Sequence, residues 1–126
     1  MNTPESLLYT KEHEWVRIEG ERVVIGITDF AQSELGDVVY VELPDLGAEL
    51  AQAGELGTIE SVKTASDLYA PLSGTVAAKN ALLENQPELV NNDPYGAGWM
   101  LEITASSLGA ERGQLLSAAD YEKLVA

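Results

Sequence analysis

Gly57-Thr58-Ile59-Glu60-Ser61-Val62-Lys63-Thr64-Ala65-Ser66-Asp67-Leu68-Tyr69-Ala70-Pro71-Leu72-Ser73-Gly74 reads as a β-hairpin with a lysine at its tip. Glu55 to Val62 is the rising arm. Leu68 to Ala70 is the falling arm, interrupted by Pro71, whose missing N–H confines it to an edge or a bulge. The flanking runs are strand-like, so ladder hydrogen bonds would hold the tip in place. Lys63 is the only basic residue between Arg22 and Lys79, and its neighbours Ser61, Val62, Thr64, Ala65 and Ser66 are small or modest. A surface lysine is ordinarily a solvated charge and nothing more. One held out on a rigid turn among small neighbours is also an amine that a modifying enzyme can reach.

Strand patterns continue on both sides of this hairpin. Trp15 to Glu19 and Arg22 to Ile27 flank Gly20 as a tight hairpin. Thr28 to Gly36 reads as a short helix: Thr28 caps it, Asp29 suits its positive end, and Gly36 can take the left-handed turn that ends it. Val38 to Leu43 is β-branched and aromatic, hence a strand, and Pro44 to Gly47 a turn. Gly74 to Lys79 and Trp99 to Thr104 are further strands. Leu82 to Asn92 is irregular around one helical turn. Ser117 to Val125 is a capped helix with Tyr121, Leu124 and Val125 on one face. A faint echo relates the loop from Val39 to Gly47-Ala48-Glu49-Leu50 with that from Val76 to Gln86-Pro87-Glu88-Leu89. The pattern predicts a mostly β fold, a flattened barrel or sandwich with short peripheral helices, one of them C-terminal. Its 126 residues fit one domain, spanning 1–126.

Composition narrows the function. The hydrophobic fraction of 45% and charged fraction of 22% are those of a globular chain. With no cysteine, thiolate catalysis, disulfides and cysteine-ligated metals are excluded. A net charge of −14 repels phosphate backbones and anionic membranes, so neither nucleic acid nor a membrane is an expected partner. It suits brief docking on basic protein surfaces. No apolar stretch approaches a membrane span, and Met1 to Ser6 lacks both a signal and a transit pattern. A cytoplasmic chain is expected, or an organelle protein lacking its presequence.

Enzyme signatures are missing. The single His13 cannot make a metal site alone, and no nucleophile elbow, P-loop or dinucleotide fingerprint occurs. Ser61, Ser66 and Ser73 surround Lys63, but a serine–lysine pair needs a buried, neutral lysine, the opposite of a turn tip. Neither a catalytic residue nor a metal site is expected. Gly96-Ala97-Gly98 reads as a turn into a core strand.

Ile59-Glu60-Ser61-Val62-Lys63-Thr64-Ala65-Ser66 closely resembles the lipoyl-lysine hairpin of the H-protein family of the glycine cleavage system. Tyr9 to Trp15, Gly26 to Gln32, Leu35 to Pro44, Ala70 to Gly74 and Asn92 to Met100 resemble the family's other blocks, in order, over most of the chain. Ala97 departs from the acidic residue often found between the two glycines there. The resemblance implies lipoic acid in amide linkage on Lys63, one per chain. It also implies that Glu60 and Gly74 are read by the lipoylating enzyme, a lipoate ligase or transferase. The alternatives are an exposed strand carboxylate for Glu60 and a turn or bulge glycine for Gly74. His13, Glu14 and Trp15 are candidates for the lining of a groove that receives the arm; for Trp15, core packing is an equal alternative.

The same resemblance implies a non-catalytic carrier of glycine catabolism, expected to be monomeric. It would pass an aminomethyl group from a pyridoxal-phosphate glycine decarboxylase to a tetrahydrofolate-dependent aminomethyltransferase, and electrons to dihydrolipoyl dehydrogenase. Biotinyl domains and the lipoyl domains of 2-oxo acid dehydrogenases are rivals, but they usually carry Met-Lys-Met or Asp-Lys-Ala where this chain has Val62-Lys63-Thr64. A lipoyl relay protein of the same family and an acidic adaptor without cofactor are the remaining readings.

Overall fold

Strand β3 (Arg22–Ile27) is apolar on both faces because it separates two cores. Val23, Ile25 and Ile27 face a large core, and Val24, pointing the other way as strand alternation requires, joins a smaller one. The same division runs through its partner β2 (Glu14–Glu19), where Val16 enters the large core and Trp15 the small one. The computed structural model describes residues 2–126. In chain order the other elements are β1 (Leu8–Tyr9), α1 (Asp29–Leu35), β4 (Val38–Glu42), β5 (Glu49–Leu50), β6 (Glu55–Ser61), β7 (Ala65–Tyr69), β8 (Gly74–Lys79), α2 (Leu89–Asn92), β9 (Leu101–Ala105), α3 (Leu108–Glu111) and α4 (Ala118–Val125). Single 3-10 turns lie at Ala81–Glu84 and Arg112–Gln114.

The strands form two antiparallel sheets. One runs β1-β2-β3-β9-β8-β5, the other β4-β6-β7. Val23, Ile25, Val76 and Ile103 of the first pack with Val38, Ile59 and Leu68 of the second, so the large core lies between the sheets. The fold is therefore mostly β, with short helices at its margins, one of them C-terminal, as expected. Among the described residues, strand pairing closes neither sheet into a barrel. The small core, on the other side of the first sheet, is built from Tyr9, Trp15, Val24, Ala118 and Tyr121, and α4 is docked there. Trp15 belongs to this packing. It pairs across the ladder with Gly26, where a Cβ would lie 2.6 Å from the indole, and its Nε1–H donates to the Pro94 carbonyl at 3.0 Å.

The capping expected for α1 and α4 is present. Thr28 Oγ1 accepts from Ala31 N at 3.1 Å, and Ser117 Oγ from Asp120 N at 3.2 Å. Some boundaries differ. The falling arm begins at Ala65, because pairing with β6 continues right up to the turn through Glu60↔Ala65. The last strand begins at Leu101; Trp99 N–H is bound to the Gly96 carbonyl within the preceding loop. On α4 the packed face is Ala118, Tyr121 and Val125, while Leu124 is 48% exposed at its margin. The internal echo does not survive: Glu49–Leu50 is a strand, whereas Gln86 to Leu89 leads into a helix. The segment α3 and the 3-10 turn after it had no counterpart in the sequence reading. It is fastened by Glu111, whose carboxylate accepts from both Ser73 N (2.7 Å) and Ser73 Oγ (2.6 Å).

Candidate functional site

Lys63 stands at the β6–β7 tip, exposed as expected. The turn is closed by Ser61. Its N–H donates to the Thr64 carbonyl at 2.8 Å, and its Oγ accepts from the Lys63 and Thr64 N–H groups, both at 3.2 Å. The Val62 N–H donates to the Asp37 carbonyl at 3.0 Å, tying the tip to the segment between α1 and β4. Every backbone donor from Ser61 to Thr64 is thus engaged, and Ser61 itself is buried beneath the turn. The tip is fixed by its own hydrogen bonds as well as by the ladder behind it.

The lysine stem crosses Gly36, the C-cap of α1. A Cβ built on Gly36 would lie 2.9 Å from Lys63 Cε. Gly36 has φ 78 and ψ −159, a conformation open essentially to glycine alone. Asn91 on α2 holds this corner: Nδ2 donates to the Gly36 carbonyl at 2.8 Å, and Oδ1 accepts from Val38 N at 2.8 Å. No ion-pair partner for the Lys63 ammonium occurs among the described residues; the two salt bridges there are Arg17–Glu19 and Arg22–Glu102. The amine is a free, accessible nucleophile once deprotonated. This fits amide attachment of a carboxylic acid.

A groove opens beside it. Phe30, Ala31, Glu34 and Leu35 of α1, together with His13, form one wall of a cavity of about 250 Å³; Ile59 and Ser66 to Leu68 of the hairpin form the other. Its lining is largely apolar, with carboxylate-bearing Glu12 and Glu34 close enough to His13 to pull its imidazole towards the charged form. Burial outweighs them and sets the imidazole below its ordinary value. His13 has a left-handed backbone, φ 70, and its ring rests on Phe30 with centroids 4.9 Å apart. Nδ1 lies 2.8 Å from the Tyr121 hydroxyl.

Glu12 also borders a second cavity of about 530 Å³, where Glu14 lies among Thr10, Gln52 and Tyr69. The Glu14 carboxylate is only 2% exposed and accepts from Thr10 Oγ1 (2.6 Å) and Tyr69 N (3.2 Å). Desolvation dominates those bonds and raises its carboxyl from 4.5 to about 7. The two candidate lining residues therefore border different cavities that meet at Glu12. Glu60 is exposed on the face of β6 away from the core, paired across the ladder with Tyr40 and Ala65. Gly74 is buried, and a Cβ there would lie 2.4 Å from the Thr104 carbonyl oxygen. Close backbone approach accounts for the glycine.

Residues 7–126 match the family model described as glycine cleavage H-protein. The chain belongs to the glycine cleavage H-protein family. A glycine cleavage system H protein of Geobacillus kaustophilus is 56% identical over 125 residues, covering 99% of this chain and 98% of that one. The corresponding protein of Nitratidesulfovibrio vulgaris is 56% identical over 126 residues, covering 100% and 97%. The crystal structure of a glycine cleavage system H protein from Mycobacterium marinum superposes with a TM-score of 0.87 at 37% identity, covering 95% of this chain and 96% of that one. Within this family the chain is a lipoyl carrier of the glycine cleavage system, a carrier subunit that works with the system's enzymes.

Three residues that build this candidate site were not singled out for it from the sequence: Ser61, Asn91 and Tyr121. Ser61 was legible as a small neighbour of Lys63, but its role needs the turn to be folded. Asn91 and Tyr121 reach the site from 28 and 58 residues beyond Lys63, and nothing local marks them.

Proposed function

We propose that Lys63 bears lipoate in amide linkage and that the groove between α1 and β7 receives the arm. One observation carries this: the accessible, unpaired amine stands on a hydrogen-bonded tip whose stem runs over Gly36, next to Leu35 in the groove wall. When bound, lipoate supplies a dithiolane that takes up an aminomethyl group with reduction and returns to the disulfide on oxidation, chemistry the protein side chains lack. The chain's own contribution is positional. Ser61 fixes the pivot. Ile27, Phe30, Leu35 and Leu68 offer an apolar bed to a hydrocarbon arm, and Glu12 and Glu34 make the wall attractive to a protonated amine. His13 lines this groove, and Glu14 a separate cavity that shares Glu12 with it.

On this reading the chain, 1–126 as one carrier unit, catalyses nothing alone. It is monomeric, loaded by the glycine decarboxylase, unloaded by the aminomethyltransferase and reoxidised by dihydrolipoyl dehydrogenase. Glu60, exposed three residues before the lysine, is available to a lipoate ligase or transferase. Gly74 would act through backbone packing if it matters to that enzyme. The bacterial relatives support a cytoplasmic setting. Amidation would take the net charge from −14 to −15 by removing one cation.

Coexpression with a lipoate ligase followed by intact-mass and peptide analysis tests the attachment. One lipoyl addition is expected, on the peptide containing residue 63, and none in Lys63→Arg. An unmodified wild-type chain, or addition to the arginine variant, would overturn it. Shelter by the groove has its own test: the isolated loaded protein should release its aminomethyl group more slowly than a free lipoamide adduct.

A further inference from the structure

One oxygen outside the groove holds two parts of its wall. The Tyr121 hydroxyl on α4 lies 2.8 Å from His13 Nδ1 and 2.7 Å from Thr28 Oγ1. His13 is a wall residue, and Thr28 is the cap of α1, which supplies Phe30, Ala31, Glu34 and Leu35 to the same wall. The two are also joined through the backbone, Thr28 N–H donating to the His13 carbonyl at 3.0 Å.

Neither part is stable by itself. α1 has seven residues, too few for a helix to persist on local bonds, so its first turn depends on its cap. His13 occupies a left-handed conformation that a side-chain-bearing residue keeps only where its surroundings over-determine it. The hydroxyl is well suited to fix both. Tyr121 is buried, and its ring stacks on Tyr9 with centroids 4.8 Å apart and planes 13° from parallel. Thr28 Oγ1 already accepts the Ala31 N–H, which leaves its own hydrogen to donate to the Tyr121 oxygen. With that donation, the Tyr121 O–H is directed at His13 Nδ1, an order that would place the proton of the neutral imidazole on Nε2. In that order donation runs one way, from helix cap to tyrosine to histidine.

We propose that the Tyr121 hydroxyl is the positioning group of the arm groove, so that the C-terminal helix, through His13 and Thr28, governs how well the groove shelters its cargo. The proposal rests on the reading above that this groove receives the arm. Tyr121→Phe removes the hydroxyl and keeps the stacked ring. In the lipoylated, loaded protein, release of the aminomethyl group should rise at least about fivefold, the factor that one of the hydroxyl's two hydrogen bonds contributes. Ligase modification of Lys63 should be unchanged.

A second readout does not depend on the cargo. The two imidazole ¹⁵N resonances of His13 should show the Nε2–H tautomer in the wild type and move towards a tautomer average in Tyr121→Phe. A loss of general stability alone would not move them. Thr28→Val, acting from the other end of the chain of donors, should also speed release, and Thr28→Ser should behave as wild type. Unchanged ¹⁵N resonances in Tyr121→Phe, or unchanged release in both Tyr121→Phe and Thr28→Val, would overturn the proposal. If the wild type already releases as fast as the free adduct, the groove reading fails and takes this proposal with it. If the wild type is sheltered and the variants are sheltered equally, only the role of Tyr121 fails.

Discussion

Glu14 is a carboxyl enclosed between β2 and the hairpin, and burial raises it from 4.5 to about 7 despite two hydrogen bonds to its oxygens. Between those values the folded chain binds more protons than the unfolded chain. Stability therefore falls as pH rises across that window and levels off above it. Chemical denaturation of wild type and Glu14→Gln from pH 4 to pH 8 should show the wild type losing up to about 3 kcal/mol relative to the variant. The comparison isolates Glu14 from His13, whose imidazole is itself shifted downward by burial. A pH-independent difference would show that burial leaves the carboxyl at its unfolded value. Gly36 makes a second prediction at this scale. Gly36→Ala places a Cβ against the Lys63 stem in a backbone conformation that disfavours it, at a cost of roughly 1–3 kcal/mol. Its unfolding midpoint should drop, and a crystal structure of the variant should show the lysine stem displaced. Gly74→Ala separates recognition from packing. If its contact with the Thr104 carbonyl is what matters, lipoylation should fall in proportion to lost folded protein.

Elements were legible wherever a local rule decides them. The Gly20 hairpin, the Thr28 and Ser117 caps and the strand Gly74–Lys79 follow from turn chemistry, capping side chains and β-branched runs that act within a few residues. What stayed hidden depends on distant partners. β1 is a two-residue strand that exists because Leu8 and Tyr9 pair with Val16 and Trp15. The short helix Leu108–Glu111 is anchored by a carboxylate reaching Ser73, some forty residues back in the chain. At the site, Lys63 was legible because its neighbours are small and its flanks are strand-like. The groove was not, because its walls come from the turn before β2, from α1 and from the β6–β7 hairpin, which only the fold brings together. The helix α1 offers a test at this scale. Thr28→Ala removes the cap of a helix that has little else to start it, and urea unfolding should show a loss of about 1 kcal/mol or somewhat more. Restoration by Thr28→Ser would attribute the loss to the oxygen.

Across the whole molecule the excess of 21 acidic over 7 basic residues sets how partners arrive. Association with the enzymes of the glycine cleavage system should be steered by charge. Stopped-flow on-rates should fall by roughly tenfold or more between low and high salt. Off-rates should change much less, and a salt-independent on-rate would mean that docking is apolar. The closed turn under Lys63 has a consequence for traffic among those enzymes. Because Ser61 and Asp37 immobilise the tip, only the side chain and whatever it bears can swing, and it always swings from one point. On the proposed attachment at Lys63, each enzyme would have to bring its own catalytic centre within a single arm's length of that point, so their footprints would overlap. Visitors then take turns, and adding one in excess should competitively inhibit the next.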